Sequence, residues 1–427
     1  MLYTRSGVLP LRHPTAQILS QGDEVVTGQI ADTNAAWLSE QLTDLGLRIR
    51  GHRSVGDVVE HIAQDLTEAV GVDVCVCTGG LGPTQDDLTA EAVSLAFDRP
   101  LRHDPVAEAH IRALYRRFKR EMPEVNLKQA LLPEGAIRLD NRWGTAPGFA
   151  LVEGSTWFAF VPGVPREMRA MFAAHIHPAV AERLQLAPGR LVVLRTTGVG
   201  ESTLQQRLGT FERPGVTLSY RTTMPENHIK LRFSPTTTDA EATALIDELT
   251  ERIGSPLFGI DGSPEPTPRL PSGDLATVVG KHLVRHDATL AVAESCTGGR
   301  IASMCTGIPG SSTWFVEGVV TYANRSKIER LGVPGDDIAQ HGAVSEPVAR
   351  AMAAGIRRTA GTTYGVATTG IAGPGGGSDA KPVGTVHLAL ATPDGVHHRQ
   401  VHMHGDRHRI QKLAAAAALD LLRRHLS

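Results

Sequence analysis

The sequence predicts an α/β protein with two doubly wound α/β domains, joined through a small α+β domain and a proline-rich linker. A chain of 427 residues is too long for one ordinary core. Short apolar runs alternate with amphipathic helical segments in the first and the last parts of the chain. The 44 glycines and the aromatic content of 4% are typical of an α/β protein with many tight loops.

The first predicted domain covers residues 16–178. Its leading segments read alternately as strand and helix, in the order "AQILSQG", "DTNAAWLSEQLTDLG", "LRIRGHRSV", "DVVEHIAQDLTEAVG" and "VDVCVCTGG". The short apolar pieces are typical of buried parallel strands, and the longer ones carry leucine and alanine at helical spacing. Residues 1–15 lack the apolar core of a signal peptide and are predicted to be an N-terminal extension.

Three further segments follow. Residues 190–260 predict a small α+β (KH-like) domain with two polar strands and the helix "DAEATALIDELTERIG". Residues 261–274 are rich in proline, which favours an exposed linker. Residues 275–427 alternate again between strand and helix and end in an alanine-rich helix, which predicts the second doubly wound domain.

Charge, cysteine content and hydropathy give no support for a nucleic-acid-binding, zinc-binding, disulfide-rich or membrane-spanning protein. The net charge of −2 gives no general attraction for nucleic acid, and no basic patch dominates the sequence. The four cysteines match neither a zinc site nor a small disulfide framework, so a reducing cytoplasm is expected. The sequence contains no run of about 18 apolar residues that would predict a membrane span.

The loop "TGGLGPTQDDLT" follows the apolar strand "VDVCVC" directly. Loops at the carboxyl ends of parallel strands bind ligands, and glycines let backbone N–H groups approach an anion closely. The predicted phosphate-binding residues of this loop are Gly79, Gly80, Gly82 and Thr84.

Asp86 and Asp87 would repel a phosphate unless a cation stood between them, so they predict a bound divalent metal. Alternatively, the two acids only cap the helix that follows. A second loop of the same kind contains Glu24 and leads to Asn34 at the start of a helix. Two such loops in one sheet favour a functional site.

A second candidate site lies at residues 293–327, where hydroxyl groups and glycines follow predicted strands and no histidine occurs. A partly desolvated lysine whose amine is neutral can activate a serine, which makes Ser312 and Lys327 a candidate nucleophile and base. The loop around Ser311 would supply backbone N–H groups for an oxyanion. The alternative is that Ser312 simply caps the turn or helix that it begins.

Motifs of both large predicted domains resemble those of a known family. The first domain carries "GDEVVTGQIADTNAAWL", "TGGLGPTQDDLT", "KQALLPEGA", "GTAPGF" and "VPGVPREM". Together these motifs resemble the competence/damage-inducible CinA family, whose N-terminal domain is similar to molybdopterin-binding proteins. Asp23 stands where that family more often has threonine. The resemblance implies hydrolysis of the pyrophosphate of ADP-ribose with a divalent metal (Mg, Mn or Co), with Glu24 and Glu167 as further metal candidates.

The last domain carries "AESCTGG", "PGSSTWF", "GVVTYAN", "HGAVSEPVA", "TTGIAGPGGGSDAKPVGTV" and "GDR". These motifs are similar to the C-terminal CinA domain and to nicotinamide mononucleotide deamidases of the PncC type. The resemblance implies a serine–lysine dyad, placed on Ser312 and Lys327, and no cofactor in this domain. It also implies a positioning role for Tyr322 and substrate contacts from Ser295, Ser311, Thr369, Gly370, Gly373 and Arg407.

The function expected from these observations is a bifunctional hydrolase of pyridine-nucleotide salvage in the cytoplasm. Its substrates would be nicotinamide mononucleotide and ADP-ribose, and the family suggests a homodimer. Two alternatives stay open. The first domain could bind a pterin or nucleotide without chemistry, or the protein could be a partner in competence or DNA repair.

Overall fold

The computed structural model describes residues 14–186 and 189–427. The predicted extension, residues 1–15, lies outside the described residues apart from Pro14 and Thr15, and Thr15 already begins the first strand. The chain forms two compact units, the first ending at Gly189 and the second running Arg190–Ser427. Within the described ranges, every helix is too short or too polar to cross a membrane.

The first unit contains eight strands and seven α-helices among its described residues. In chain order they are β1 Thr15–Gln21, α1 Asp23–Val26, α2 Thr33–Asp44, β2 Arg48–Val55, α3 Val59–Ala69, β3 Val74–Thr78, α4 Thr89–Phe97, β4 Leu101–His103, α5 Pro105–Arg117, β5 Leu131–Pro133, β6 Ile137–Leu139, β7 Gly148–Glu153, β8 Thr156–Val161, α6 Pro165–Met171 and α7 His177–Arg183.

Six of these strands form a mixed sheet in the order β2-β1-β3-β8-β7-β6. The pairs from β2 to β8 are parallel, and β7 and β6 extend the sheet in the antiparallel sense. One buried apolar cluster lies on each face, with Leu38 and Phe172 on one side and Leu66 and Phe149 on the other. The α/β class is therefore confirmed, with helices on both faces.

The second unit begins with a four-stranded antiparallel sheet. Its elements are β9 Leu191–Thr197, α8 Glu201–Leu208, β10 Val216–Thr223, β11 Glu226–Phe233, α9 Asp239–Ile253 and β12 Leu257–Asp261, and the strand order is β10-β11-β9-β12. A capping box at Thr238 and Glu241 begins α9, whose apolar side covers this sheet. The KH-like character of this part stays a prediction.

The proline-rich stretch 261–274 is held by side chains. The carboxylate of Asp261 accepts hydrogen bonds from Ser272 Oγ (2.7 Å) and Gly273 N (2.9 Å). Leu270 packs against the core of the four-stranded sheet. The segment is therefore tied at both ends.

The rest of the second unit builds a five-stranded sheet. Its elements are α10 Leu275–Arg285, β13 Leu290–Glu294, α11 Arg300–Thr306, β14 Phe315–Val320, α12 Asn324–Leu331, α13 Gly335–His341, α14 Glu346–Ala360, β15 Tyr364–Gly370, β16 Thr385–Thr392, β17 Gly395–His402 and α15 Arg407–Leu426. The order is β14-β13-β15-β16-β17, with β14, β13 and β15 parallel and the last two strands antiparallel. Apolar clusters cover both faces, as in the first unit.

Candidate functional sites

Three loops meet at one edge of the five-stranded sheet. Glu294 at the end of β13 is aligned with Val320 of β14 and with Thr368 of β15. Ser295 N donates to Thr368 O (3.1 Å) and Thr321 N donates to Glu294 O (2.8 Å). Because parallel strands end at the same edge, the residues that follow them lie side by side.

Lys327 brings its amine to the hydroxyl of Ser295. The helix that carries it, α12, follows β14 and so begins at the same edge of the sheet. Lys327 Nζ lies 3.1 Å from Ser295 Oγ, 2.8 Å from Thr321 O and 3.1 Å from Tyr322 O. The two carbonyl oxygens can only accept hydrogen bonds, so two N–H groups of the Lys327 amine donate to them. The remaining contact of the nitrogen is with the serine hydroxyl, which can donate as well as accept.

Burial shifts the protonation equilibrium of this amine toward the neutral form. Lys327 is only 1% exposed, and its desolvation lowers the pKa of the amine below the ordinary lysine value. The buried carboxylate of Glu294 accepts from Gly299 N (3.0 Å) and Ala302 N (2.8 Å) at the start of α11. The carboxylate of Glu294 is thus hydrogen-bonded to backbone N–H groups at the start of α11, and Lys327 makes no ion pair among the described residues. The site thus favours a neutral amine beside a serine hydroxyl.

A rival nucleophile is excluded by the same burial. Cys296 follows Ser295 directly, but desolvation raises the pKa of its thiol to about 12. A thiol attacks only as the thiolate, so Cys296 is inert at neutral pH. All four cysteines of the chain are free and buried.

Within one copy of the chain, the structure does not bring Ser312 and Lys327 together as predicted. Ser312 lies in a short 3-10 turn, Ser311–Thr313, which precedes β14, whereas Lys327 follows that strand. The six residues of β14 span about 20 Å at roughly 3.3 Å per residue. Ser312 is exposed at the amino end of the strand, and its turn cannot supply the oxyanion donors expected around Ser311.

Ser295 is followed by a tight turn of its own. Gly298 N donates to Ser295 O (3.2 Å), which closes a four-residue turn with Cys296 and Thr297 at its centre. We find no acceptor for the amides of these two central residues in the part of the chain that the structure describes. They are therefore the candidate oxyanion donors nearest in sequence to Ser295.

Tyr322 and Arg407 lie beside the Ser295–Lys327 pair. Arg407 begins α15, and its guanidinium donates to Gly373 O (2.7 Å) and to Tyr322 Oη (2.8 Å). These bonds connect the glycine loop after β15 to the segment after β14, whose carbonyl groups accept hydrogen bonds from Lys327. Across residues 14–186 and 189–427, Arg407 has no carboxylate partner, so its charge remains available for an anion.

The hydroxyl predicted at Thr369 is used inside the fold. Thr369 is 1% exposed, and its Oγ1 donates to Ala343 O (2.8 Å), which corrects its expected role as a substrate contact. Its neighbour Thr368 pairs with Thr297 through their hydroxyls (2.8 Å) directly behind Ser295. Gly370 ends β15, where a Cβ atom would lie 2.8 Å from Thr385 O, so only glycine fits.

In the first unit, five carboxylates line one cavity of about 510 Å³ at the carboxyl ends of the parallel strands. They are Glu24, Asp57, Asp86, Asp87 and Glu167. Gly79, Gly80 and Gly82 line the same cavity. The two loops that the sequence singled out therefore do meet at one site.

Several N–H groups of the glycine loop already donate hydrogen bonds within the protein. Gly82 N and Thr84 N donate to the two carboxylate oxygens of Asp87 (2.7 and 2.8 Å), and Thr84 Oγ1 also donates to Asp87. Gly79 N donates to Val161 O (3.1 Å). This corrects the expectation that Gly79, Gly82 and Thr84 all offer free donors to phosphate. Asp87 shapes the loop, and Gly80 is left as the glycine whose amide is not engaged within the described residues.

The alternative in which the two acids cap the next helix is wrong. Helix α4 begins after Leu88 with no side-chain cap, and its first-turn acid is Glu91. Asp86 is exposed. The neighbouring hydroxyl of Thr84 and, to a smaller extent, the ammonium of Lys128 lower the pKa of Asp86, so it is ionised at neutral pH.

Asp57 is a site residue that the sequence analysis missed. Its Oδ2 accepts from Asp23 N (3.0 Å), and Asp23 Oδ1 accepts in turn from Asp57 N (3.1 Å). Asp57 Oδ1 also accepts from Gln21 Nε2 (3.2 Å). The reciprocal pair gives Asp23 a role, because it fixes the first loop against the loop after β2. The signal was available, since "GD" follows a strand at the same sheet edge.

Asn34 and Glu167 hold neighbouring loops. Asn34 Nδ2 donates to Gly163 O (2.7 Å) and Thr78 Oγ1 (3.3 Å), while the helix α2 that contains it is capped by Asp32. Glu167 Oε2 accepts from Asn141 Nδ2 (2.7 Å). Asn34 therefore ties the end of β3 to the loop after β8, and Glu167 keeps one carboxylate oxygen facing the cavity region.

The donor set of this cavity suits a hard cation only in part. Within the described ranges, no three acidic, histidine or cysteine side chains converge closely enough to form a complete metal site. Carboxylates are nevertheless the ligands that Mg²⁺ prefers, and this ion is commonly held by one or two of them together with substrate phosphates. The residues fit an ion that arrives with a phosphorylated ligand.

Comparison with known proteins identifies the family. The CinA-like protein of Desulfosudis oleivorans is 43% identical over 423 residues, covering 96% of this chain and 99% of that protein. The chain belongs to the CinA family. The CinA-like protein of Anaeromyxobacter sp. strain K is 41% identical over 413 residues, covering 95% of this chain and 98% of that one.

Two family models match different parts of the CinA chain. Residues 17–182 match a probable molybdopterin binding domain, and residues 272–426 match the CinA C-terminal domain. The crystal structure of the protein CinA from Thermoplasma acidophilum is 32% identical, covering 39% of this chain and 98% of that one at a TM-score of 0.37. A competence/damage inducible protein from Agrobacterium tumefaciens is 40% identical, covering 36% and 93% at a TM-score of 0.35.

Proposed function

We propose that the second unit hydrolyses the carboxamide of nicotinamide mononucleotide, giving nicotinic acid mononucleotide and ammonia, with Ser295 as nucleophile and Lys327 as base. The observation that carries this proposal is the 3.1 Å contact between Lys327 Nζ and Ser295 Oγ. It occurs at a buried amine whose pKa is lowered by desolvation. The proposal keeps the reaction expected from the sequence and moves the nucleophile from Ser312 to Ser295.

The proposed reaction proceeds in two halves. Neutral Lys327 accepts the proton of Ser295 while Oγ attacks the carboxamide carbon, forming a tetrahedral oxyanion. The ammonium of Lys327 returns the proton to the leaving nitrogen, the C–N bond breaks, and an acyl ester on Ser295 remains. Lys327 then deprotonates a water that attacks the ester, and protonation of Ser295 Oγ completes the release of the acid.

Two groups support the substrate in this proposal. The amides of Cys296 and Thr297 stabilise the oxyanion, a contribution of roughly 3 kcal/mol for a well-placed donor. Arg407 binds the 5′-phosphate, because its charge has no carboxylate partner within the described residues. The hydrogen bond from Arg407 to Tyr322 Oη would link the phosphate-binding arginine to the residue whose carbonyl accepts from Lys327.

A matched pair of serine variants tests the assignment. Ser295→Ala is expected to abolish ammonia release from nicotinamide mononucleotide, and Ser312→Ala is expected to keep turnover within about threefold of the parent. Circular dichroism of both variants controls for folding. The opposite pattern would restore Ser312 as the nucleophile.

We further propose that the first unit hydrolyses the pyrophosphate of ADP-ribose to AMP and ribose 5-phosphate with a divalent metal. Asp86 and Glu24 are the candidate ligands, because the carboxylate of Asp87 is already engaged by its own loop. Such an ion, when bound, would neutralise phosphate charge and acidify a coordinated water. Gly80 N would donate to a phosphate, and the hydrogen-bonded pair Asp23–Asp57 would hold the two loops in place.

The alternative is a binding module without chemistry, as in molybdopterin-binding relatives of the fold. AMP formation from ADP-ribose, assayed with and without Mg²⁺ or Mn²⁺, distinguishes the two. Metal-dependent AMP release that Asp86→Asn removes supports hydrolysis. Binding of ADP-ribose with no AMP at any metal concentration supports the module. No observation favours a role in competence or DNA repair.

We also propose that the protein forms a homodimer through β14. This strand is an edge of its sheet, and Val316 and Val320 are 54% and 49% exposed on it. An exposed apolar edge strand is a template for pairing with another chain. Light scattering of Val316→Lys tests this: the variant is expected to be a monomer and the parent a dimer. We place both reactions in the cytoplasm, which free cysteines favour.

A further inference from the structure

A second cavity in the Arg190–Ser427 unit lies away from the Ser295 site. It measures about 510 Å³ and lies between the four-stranded sheet, strand β17 and helix α15. The loop after β9, Gly198–Gly200, forms one wall, and the turn at Met224 and Pro225 forms a second. Pockets of this size accommodate small-molecule ligands.

Two arginines of this cavity have no partner for their charge. Arg399 of β17 and Arg409 of α15 both line it and are exposed. Among the residues that the structure describes, neither guanidinium makes a side-chain hydrogen bond or an ion pair. Both guanidinium groups are therefore available to bind an anion in this cavity.

The acids of the cavity do not supply that anion. Asp420 is bound by Arg423 (2.8 Å) and Arg424 (2.6 Å). Glu226 is bound by Arg195 at 3.0 Å, and it also accepts from Leu275 N at 3.0 Å. Both carboxylates are thus neutralised by inner partners, and the net charge left to the cavity is positive.

Part of the remaining wall is apolar, beside polar residues such as Asn227 and His402. It is formed by methyl and methylene groups of Val199, Met224, Pro225, Met403, Leu413 and Ala417. Such a surface binds the flat face of an aromatic ring, while guanidinium groups bind a phosphate in a bidentate manner. A nucleotide offers both features in one molecule.

We propose that this cavity is a second ligand site, separate from the Ser295–Lys327 dyad, and that it binds a nucleoside monophosphate. Arg399 and Arg409 hold the phosphate, and the wall at Met224 and Leu413 receives the base. The site does not depend on the reactions proposed above. Its walls come from two sheets of the same unit, so its occupant would bridge them.

Binding of AMP to the intact protein tests the proposal. Equilibrium dialysis gives stoichiometry and affinity for the parent, for the double variant Arg399→Gln, Arg409→Gln, and for Arg213→Gln. Arg213 is an exposed arginine of the same unit whose side chain is paired with Glu248 outside this cavity. The double variant is expected to lose one AMP per chain, or to bind it at least tenfold more weakly, while Arg213→Gln binds as the parent does.

Three further arms define the ligand chemistry. Adenosine is expected not to bind the site, and ribose 5-phosphate and inorganic phosphate are expected to bind more weakly than AMP. Ala417→Phe, which fills the apolar wall and keeps both arginines, is expected to remove the same AMP site. Unchanged stoichiometry and affinity in both the double variant and Ala417→Phe would overturn the proposal, as would equal binding of adenosine and AMP.

Discussion

Replacing Lys327 by methionine isolates the proton-accepting role of its amine. Methionine has a similar unbranched shape, but its thioether cannot take the proton of Ser295. General-base catalysis contributes about 10²- to 10⁴-fold, and here the same group also protonates the leaving ammonia. We therefore expect kcat/KM for nicotinamide mononucleotide to fall by at least about 10³-fold.

The structure also bounds the effect on stability. The amine makes three hydrogen bonds, to Ser295, Thr321 and Tyr322. At about 1 kcal/mol each, their loss costs up to about 3 kcal/mol. Relief from burying a polar amine offsets part of this cost. Lys327→Met is therefore expected to remain folded, with a modestly lower midpoint of thermal unfolding.

Ammonia release, followed with a coupled dehydrogenase, provides the assay. Lys327→Arg is the matched control, because it keeps hydrogen-bond donors at this position but stays protonated and cannot act as a base. It is expected to be as inactive as Lys327→Met. Turnover of the arginine variant within about tenfold of the parent would refute the base assignment.

Three other predictions concern the pH dependence of activity, phosphate binding by Arg407 and the glycine loop of the first unit. Burial lowers the pKa of Lys327 in the folded protein, so kcat/KM is expected to rise as pH increases through that pKa. The destabilisation from burying the charged amine is complete below the folded pKa and is relieved as pH rises toward the unfolded pKa. A kcat/KM profile that falls with rising pH contradicts the assignment of Lys327 as base. Arg407→Gln should raise the KM of nicotinamide mononucleotide about 10- to 100-fold, since a charge-assisted contact contributes about 1.5–3 kcal/mol, while nicotinamide riboside, which lacks the phosphate, is unaffected. Asp87→Asn should speed hydrogen exchange of the Gly82 and Thr84 amides that it binds, whereas Asp86→Asn should leave their protection unchanged; equal protection in both variants would remove the structural role of Asp87.

Most of the strand and helix alternation was predictable, because buried apolar runs and amphipathic helices have distinct periods. Strand β17, "GVHHRQVH", was less evident, since an edge strand with a solvated face carries few apolar residues. The polar helix α12 between β14 and α13 was also missed, although it carries Lys327. Polar sequences of this kind are fixed by tertiary contacts, which local patterns do not reveal.

The identity of the nucleophile shows what strand order adds to motif reading. Ser295 and Lys327 each come after a strand, whereas Ser312 comes before one, so parallel pairing of β13 and β14 puts the first two at one edge of the sheet and Ser312 at the other. This rule could have been applied to the sequence. The role of Asp87 could not, because its bonds to Gly82 and Thr84 depend on the path of the loop.

The most direct test of the account is to locate the acyl intermediate. Acid quenching of the enzyme during turnover of nicotinamide mononucleotide, followed by peptide mass spectrometry, is expected to find the nicotinoyl ester on the peptide that contains Ser295. An ester on the Ser312 peptide, or full turnover with no ester on any serine, would contradict the central claim that Lys327 activates Ser295.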